Sequence, residues 1–368
     1  MREPDGRGGG RTEEGSRRHE GVPEATGKHG VNMPGVLARL RGNGEPAGIR
    51  LPHLAGLFAV AMLLAATLGE AQLSVFILLG LAAMVTVGVS LLMGYAGQVS
   101  LGQAAFYAVG GYTAGLMSVH GLPPLWGLLA APLVAALFAA VIGIPLLRLR
   151  GHHLAFATLA TQLILLSLAG ELEFLGGSIG LQGIPRFGLG GVELENDRGY
   201  AFLTWGALAV VVLAARNVIE SRQGRGLRAL ATSEVAAESA GVAVGRAKLA
   251  VFALSAAFAG LAGGIYAYYV GYIAPGSFPI LLSIEYVVMA VVGGLGTIWG
   301  ALAGATAIVL LIQLLNNIGT MEGMPSYAPS VLSYAVYSLL LIAAVLFMPG
   351  GLVPAVRARL SSRAPGAM

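Results

Sequence analysis

The sequence predicts an all-α integral membrane protein, a polytopic helical bundle of about 8–10 transmembrane helices with glycine-interrupted or re-entrant segments. Hydrophobic residues make up 56% of the 368 residues and charged residues only 11%, whereas soluble domains carry about 25% charged residues. Residues 71–147 contain no Asp, Glu, Lys or Arg. Because a membrane-spanning helix needs about 20 apolar residues, this stretch alone accommodates about three of them.

The chain divides into three predicted regions. Residues 1–50 are polar, charged and glycine-rich. We predict that they form a disordered cytoplasmic extension, because such a segment cannot bury enough apolar surface to offset its ordering entropy. A start at Met33 is an alternative that would remove most of this extension. Residues 51–352 form the predicted membrane domain, with a cytoplasmic loop at about 220–248, and residues 353–368 form a cytoplasmic tail.

Apolar runs bounded by charges and turn residues predict the positions of the helices. The predicted spans are 52–69, 71–93, 103–119, 124–147, 154–174, 200–219, 247–271, 282–315 and 328–348. The run at 282–315 is long enough to cross the membrane twice if it breaks at residues 293–300. The second crossing brings the predicted total to ten and places the C-terminal tail in the cytoplasm.

The distribution of Arg and Lys predicts the orientation, since short loops rich in these residues lie in the cytoplasm. Arg39, Arg41 and Arg50 place the N-terminal flank inside. The same rule places residues 148–153 and 216–248 inside. The loop at 171–198 is net acidic and glycine-rich and is predicted to lie outside.

Two glycine-rich stretches interrupt apolar runs, one in each half of the chain. The candidate hinge and packing residues are Gly94, Gly97 and Gly102 in the first stretch and Gly293, Gly294 and Gly296 in the second. Paired interruptions of this kind indicate broken helices at a transport site. Irregular backbone at membrane depth is tolerated only where protein or a water-filled cavity satisfies it. The candidate pathway residues Gln98, Ser100 and Gln103 therefore either line a translocation pathway or form hydrogen bonds between helices.

Glu285 is an acidic residue within a long apolar run, LLSIEYVVMAVVGG. A carboxylate inside a membrane is costly and by default indicates function, which makes Glu285 a fourth pathway candidate. Alternatively, it lies at the membrane surface near a helix start, where its charge suits the positive end of the helix dipole.

The predicted cytoplasmic loop contains the pattern of a short helix. Ser233 is a candidate N-cap, and Gly241 is suited to end the helix in the left-handed conformation. The residues proposed to form the helix surface are Glu234 and Glu238, four apart, and the small residues Ala236, Ala237 and Ala240. Such a helix either docks in a groove of a partner protein or lies on the membrane surface.

Several function classes are disfavoured by the sequence. The absence of cysteine excludes thiol chemistry and thiolate metal sites. There is no HExxH or GxSxG motif and no convincing phosphate-binding loop. We therefore predict no enzymatic activity, no cofactor and no metal. The net charge of +4 comes with no nucleic-acid-binding motif, so the expected environment is a lipid bilayer and not nucleic acid.

Four blocks of sequence carry a resemblance to a known family. They are GYAGQVSLGQAAFYAVGGYTAG at 94–115, GGSIGLQGIP at 176–185, GRGLRALATSEVAAESAGV with KLAVFALSAAFAGLAGGIYA at 224–267, and SIEYVVMAVVGGLGTIWGALAGA at 283–305. Through these blocks, residues 52–352 resemble the LivM-type permease subunits of branched-chain amino-acid ABC transporters.

The resemblance implies a transporter built from several subunits. It implies a permease in the bacterial inner membrane, paired with a second related permease, two ATP-binding subunits and a substrate-binding protein outside. The segment at 234–241 is similar to the family's coupling segment, although Val235 stands at its usual Glu position. Branched-chain or related amino acids are the implied substrates. The alternatives are urea or short amides, or an autonomous channel or secondary carrier.

Overall fold

The structure is a computed structural model that describes residues 51–149, 151–189 and 192–319, together with residues 335, 338 and 339. The predicted N-terminal extension and C-terminal tail lie outside the described residues. The predicted span at 328–348 lies outside them too, apart from those three positions.

The described part of the chain is almost entirely helical. Its helices, numbered in chain order, are α1 (Leu51–Thr67), α2 (Glu70–Ala96), α3 (Gln103–Val119), α4 (Pro124–Leu146), α5 (His152–Glu171), α6 (Asp197–Glu220), α7 (Arg222–Thr232), α8 (Glu234–Ser239), α9 (Val244–Val270), α10 (Ile280–Gly293) and α11 (Ile298–Gly319). Seven of the helical segments in the described ranges are long and apolar enough to cross a membrane, counting α10 together with the 3₁₀ turn before it. The predicted all-α membrane fold is confirmed.

The long apolar run at 282–315 is divided into two helices. α10 ends at Gly293 and α11 begins at Ile298, so the break falls within the glycine-rich stretch predicted to interrupt the run. Gly294 and Gly296 both have positive φ angles there, a region that glycine enters at little cost. The chain therefore turns within four residues.

The core is formed around α2 and α9. α9 packs against α4, α3 and α2, and small residues permit the close approach. Gly260 of α9 lies against Gly110 of α3, where a Cβ atom on Gly110 would overlap the Gly260 backbone. In a membrane, burying apolar surface between helices contributes little free energy, because lipid tails are equally apolar. Close backbone packing of this kind therefore stabilises the bundle.

The loops at one end of the bundle pair with each other. After α5, a 3₁₀ turn at Glu173–Leu175 leads into an irregular segment and a small hairpin, β1 (Gly188–Leu189) with β2 (Val192–Glu193). Leu181 forms an antiparallel bridge with Ile273, which follows α9. The ends of α5 and α9 therefore lie on the same side of the membrane, which is the side predicted to be outside.

Candidate translocation site and loop helix

The two glycine interruptions meet in space. Gly94, near the end of α2, lies against Gly296 in the break between α10 and α11, so closely that a Cβ atom on Gly94 would overlap the Gly296 backbone. Nearby, Ser90 Oγ donates a hydrogen bond to the carbonyl of Thr297 at 3.4 Å. Two segments that are about 200 residues apart in sequence thus form one structural unit.

The first interruption is a non-helical segment, residues 97–102, between α2 and α3. Gly97, with φ of 63°, ends α2 in the left-handed conformation, and its N–H bonds to the Leu92 carbonyl. Farther along, the backbone N–H of Leu101 donates to Thr158 Oγ1 at 2.9 Å. The N–H of Ala104, in the first turn of α3, donates to Ser283 Oγ at 2.8 Å. Side chains from α5 and α10 therefore satisfy the broken backbone.

A buried polar cluster connects these contacts. Ser283 Oγ donates to Gln162 Oε1 at 2.7 Å, and Gln162 Nε2 donates to the carbonyls of Phe278 and Pro279 at 3.3 and 3.4 Å. Thr158, Gln162 and Ser283, here termed the polar node, are all buried. The node joins α5 to the first turns of α3 and α10. It supplies the internal partners that irregular backbone requires at membrane depth.

The predicted pathway residues of the first interruption are buried in this conformation. Gln98, Ser100 and Gln103 are 3%, 1% and 0% exposed. Gln103 Oε1 accepts a hydrogen bond from Ser255 Oγ at 3.4 Å, and Ser100 Oγ accepts one from the Gly102 N–H. Among the described residues, Gln103 Nε2 and both polar atoms of the Gln98 amide have no partner. Burying an amide group without a hydrogen-bond partner costs free energy. New hydrogen bonds to Gln98 and Gln103 would therefore stabilise a conformation in which the segment is open.

Glu285 lies in α10, two residues beyond the node residue Ser283. It is the only charged residue of α10, and it is partly buried. No hydrogen bond or ion pair of its carboxylate is present among the residues that the structure describes. The neighbouring Tyr286 is buried, with its ring 6.3 Å from that of Tyr107. Glu285 is thus an unpaired acidic group beside the junction of the broken helices.

The remaining predicted glycines lie at the same junction. Gly102 is the N-cap residue of α3, and a Cβ atom there would crowd the Thr158 carbonyl. Gly293 lies against Gly300, with the backbones of α10 and α11 in contact. These positions permit close backbone packing at the break, as the small residues in membrane interfaces commonly do.

The loop after α6 contains two helices, where the sequence predicted one. α7 precedes α8, and Ser233 between them accepts a hydrogen bond from the Ala236 N–H at 3.3 Å, capping α8. Gly241 has a φ angle of 80°, and the N–H of Val242 bonds back to the Ala237 carbonyl. The predicted short helix is therefore present, with a cap at its start and a left-handed glycine after its end.

The surface of α8 differs from the predicted surface in one respect. Val235, Ala236, Glu238 and Ala240 are exposed, and the Val235 side chain is 74% exposed. Ala237 is fully buried, so it anchors the helix and does not share the exposed face with the other alanines. The Glu234 carboxylate forms an ion pair with Lys248 of α9, which ties α8 to the membrane domain.

The site contains no evident metal-binding geometry in the part of the chain that the structure describes, since no group of three His, Asp or Glu residues is suitably placed. The site is formed instead by polar contacts and close backbone packing.

Comparison with known proteins identifies the family. The family described as branched-chain amino acid transport system / permease component matches residues 68–345. The chain belongs to this family. The permease protein LivM of the high-affinity branched-chain amino acid transport system of Salmonella typhimurium is 30% identical over 313 residues, covering 78% of this chain and 69% of that protein. The corresponding Escherichia coli K12 protein is 30% identical over 314 residues, with the same two coverages.

Membership of the branched-chain permease family confirms the resemblance seen in the four sequence blocks. Together with the seven span-capable helices among the described residues, it makes the chain a multi-pass membrane protein of a transport system. No solved structure matches the chain.

Several residues of the permease site were missed by the sequence reasoning. Thr158 and Gln162 lie in the mainly apolar helix α5, and Ser255 and Ser283 lie in α9 and α10. Their polarity was the available signal, because a hydrogen-bonding side chain inside a membrane helix usually has a partner. Lys248 was also missed, although its charge at the start of α9 pointed to a nearby acid.

Proposed function

We propose that this permease is a membrane-spanning subunit of an ABC importer that carries branched-chain or related amino acids across the bacterial inner membrane. ATP would be hydrolysed by two separate ATP-binding subunits, so this chain would not itself be an enzyme. A second related permease would complete the pathway, and a substrate-binding protein would deliver the substrate from outside. The names of the LivM relatives support the substrate class.

The observation that carries the proposal is the α8 helix. It lies in the loop between α6 and α9 that the positive charges predict to be cytoplasmic. Its exposed side chains are mostly small, apart from Val235 and Glu238. The segment at 234–241 is also similar to the coupling segment of the permease family to which the chain belongs, and this similarity supports docking on a partner protein. We therefore assign α8 as the docking helix for an ATP-binding subunit.

The proposed mechanism is alternating access at the junction of the broken helices. In the present conformation Gln98 and Gln103 are buried and the polar node is closed. ATP binding and hydrolysis in the partner subunits would move α8, and through the Glu234–Lys248 pair this motion would reach α9, which packs on α2 and α3. A partner can shift such an equilibrium only by binding the two states with different affinity.

The proposal is tested by co-purification and uptake. The detergent-solubilised wild-type chain, expressed with its neighbouring subunits, should recover ATP-binding subunits and a second permease. Proteoliposomes of the complex should accumulate leucine when both ATP and the substrate-binding protein are present. Glu238→Lys combined with Gly241→Pro should abolish both subunit recovery and uptake without preventing membrane insertion. Gln223→Lys is the matched control, because Gln223 is exposed on the neighbouring helix α7. Leucine uptake by the chain alone without ATP would overturn the proposal in favour of an autonomous carrier.

A further inference from the structure

A cavity separates α3 from α5 at the end of the bundle that carries the Leu181–Ile273 bridge. Its volume is about 180 Å³. The walls are formed mainly by Val109, Tyr112 and Leu116 of α3 and by Leu165, Ala169 and Leu172 at the end of α5. The lining is almost entirely apolar, and the cavity is partly open.

The size of the cavity suits a small hydrocarbon group. Apolar cavities of about 150 Å³ in other proteins take up benzene, which has six carbon atoms. The side chains of leucine and isoleucine have four carbon atoms and that of valine has three, so each fits within the 180 Å³ available here.

One face of α5 connects the polar node to the wall of the cavity. Thr158, Gln162, Leu165, Ala169 and Leu172 follow one another at spacings of four, three, four and three residues, which places them on a single stripe of the helix. The inner part of this stripe is polar and belongs to the node, whereas the outer part is apolar and lines the cavity. The stripe therefore has the same division as an amino acid, with one polar end and one aliphatic end.

Two further features of the cavity walls suit a site that binds a ligand transiently. The Tyr112 hydroxyl is buried without a hydrogen-bond partner among the described residues. Only a minority of the span-forming part of α5 is buried, so this helix has few contacts to hold it in place. A loosely packed wall can move with little loss of packing.

We propose that this cavity receives the aliphatic side chain of the substrate amino acid after delivery from outside, with the polar head group directed toward the node. This inference rests on the proposed function, because it takes the substrate to be an amino acid. It assigns the choice between aliphatic side chains partly to the permease, through Ala169 and Leu165, in addition to the binding protein.

The test uses the complete transporter in proteoliposomes, with the binding protein saturated by leucine or valine in turn so that delivery is equal. Ala169→Leu fills the cavity and should lower leucine uptake about tenfold more than valine uptake, as expected for a pocket that discriminates by single methylene groups. Adding Leu165→Ala restores the volume and should restore the leucine-to-valine ratio. Ile164→Phe is the matched control, since Ile164 lies on the same helix and is 68% exposed, and its ratio should remain that of the wild type.

The outcomes separate this inference from the proposed function. If Ala169→Leu lowers the uptake of both substrates equally, as it would if a lipid acyl chain occupied the cavity, the inference is wrong. An unchanged ratio in a well-folded Ala169→Leu complex would also overturn it. If instead the wild-type complex transports neither amino acid, the proposed substrate class itself fails.

Discussion

Gly94 and Gly296 lie backbone against backbone, joining the end of α2 to the break between α10 and α11. Each residue belongs to one of the two glycine-rich interruptions, so this contact unites the two halves of the site. The neighbouring Ser90–Thr297 hydrogen bond reinforces it. Any side chain at Gly94 must displace backbone atoms, which cannot rotate away as a flexible side chain can.

Gly94→Ala is therefore expected to destabilise the permease. Overpacking of a close contact costs about 1–3 kcal/mol, and here the overlapping atoms are the N and Cα of Gly296. The measurement is the thermal unfolding midpoint of the purified protein in detergent. Gly206→Ala in α6 is the control, because a Cβ atom there meets nothing within 4 Å and alanine favours a helix. Equal midpoints for the two variants would show that the Gly94 contact is absent.

A second prediction concerns the polar node. Ser283→Ala removes the partner of the Ala104 N–H and of Gln162 Oε1, leaving buried groups unsatisfied at about 1–3 kcal/mol each. The unfolding midpoint should fall, and uptake should fall with it. Thr306→Val is the matched control, since the Thr306 hydroxyl bonds only to the Leu302 carbonyl of its own helix. If both variants unfold at the same temperature, the node does not hold α3 to α10.

The positions of the two breaks could be predicted from sequence, whereas the partners at the breaks could not. Residues 71–147 lack charge and residues 94–103 and 293–300 are rich in glycine, so local composition was sufficient to place both interruptions. The node depends instead on which helix faces which. Thr158 and Ser283 are 125 residues apart, and no local pattern indicates that both bond to the same short segment.

Helix α8 illustrates the same limit on a smaller scale. Ser233 and Gly241 predicted the two ends of α8, because capping depends on residues adjacent in sequence. This six-residue helix contains two adjacent alanines, Ala236 and Ala237, and the sequence could not show which of them faces inward. The division of α7 from α8 also escaped prediction, since Ser233 serves as the C-cap of one helix and the N-cap of the next.

The Glu234–Lys248 pair predicts a charge-swap result. Glu234→Lys should place two positive groups together, detach α8 from α9 and weaken the coupling of ATP hydrolysis to uptake. The double variant Glu234→Lys with Lys248→Glu should restore coupling. Partly exposed pairs contribute only about 0–1 kcal/mol to stability, so the ratio of amino acid transported to ATP hydrolysed is the informative measurement. Failure of the double variant to recover would indicate that Glu234 contacts the partner directly.

Docking of the ATP-binding subunit is expected to depend on the backbone conformation of Gly241 and not on the space around it. Its φ angle is 80°, and a Cβ atom added there would meet nothing within 4 Å, so a substitution introduces backbone strain but no collision. Gly241→Val should impair recovery of the ATP-binding subunit, because left-handed backbone costs a non-glycine residue about 1–2 kcal/mol. Gly241→Asn should retain most of the recovery, since asparagine tolerates this conformation. Equal recovery with both variants would show that docking does not require a left-handed residue at the end of α8.

Glu285→Gln tests whether the unpaired carboxylate serves transport. The substitution keeps the shape of the side chain but removes its charge, and Glu285 has no partner among the described residues whose loss would disturb folding. We expect slower uptake at unchanged subunit recovery, because an acidic group within a membrane helix by default indicates a role in the pathway. Glu70→Gln is the control, since Glu70 is exposed at the start of α2. Wild-type uptake rates in Glu285→Gln would place the carboxylate at the membrane surface, where its charge has no part in translocation.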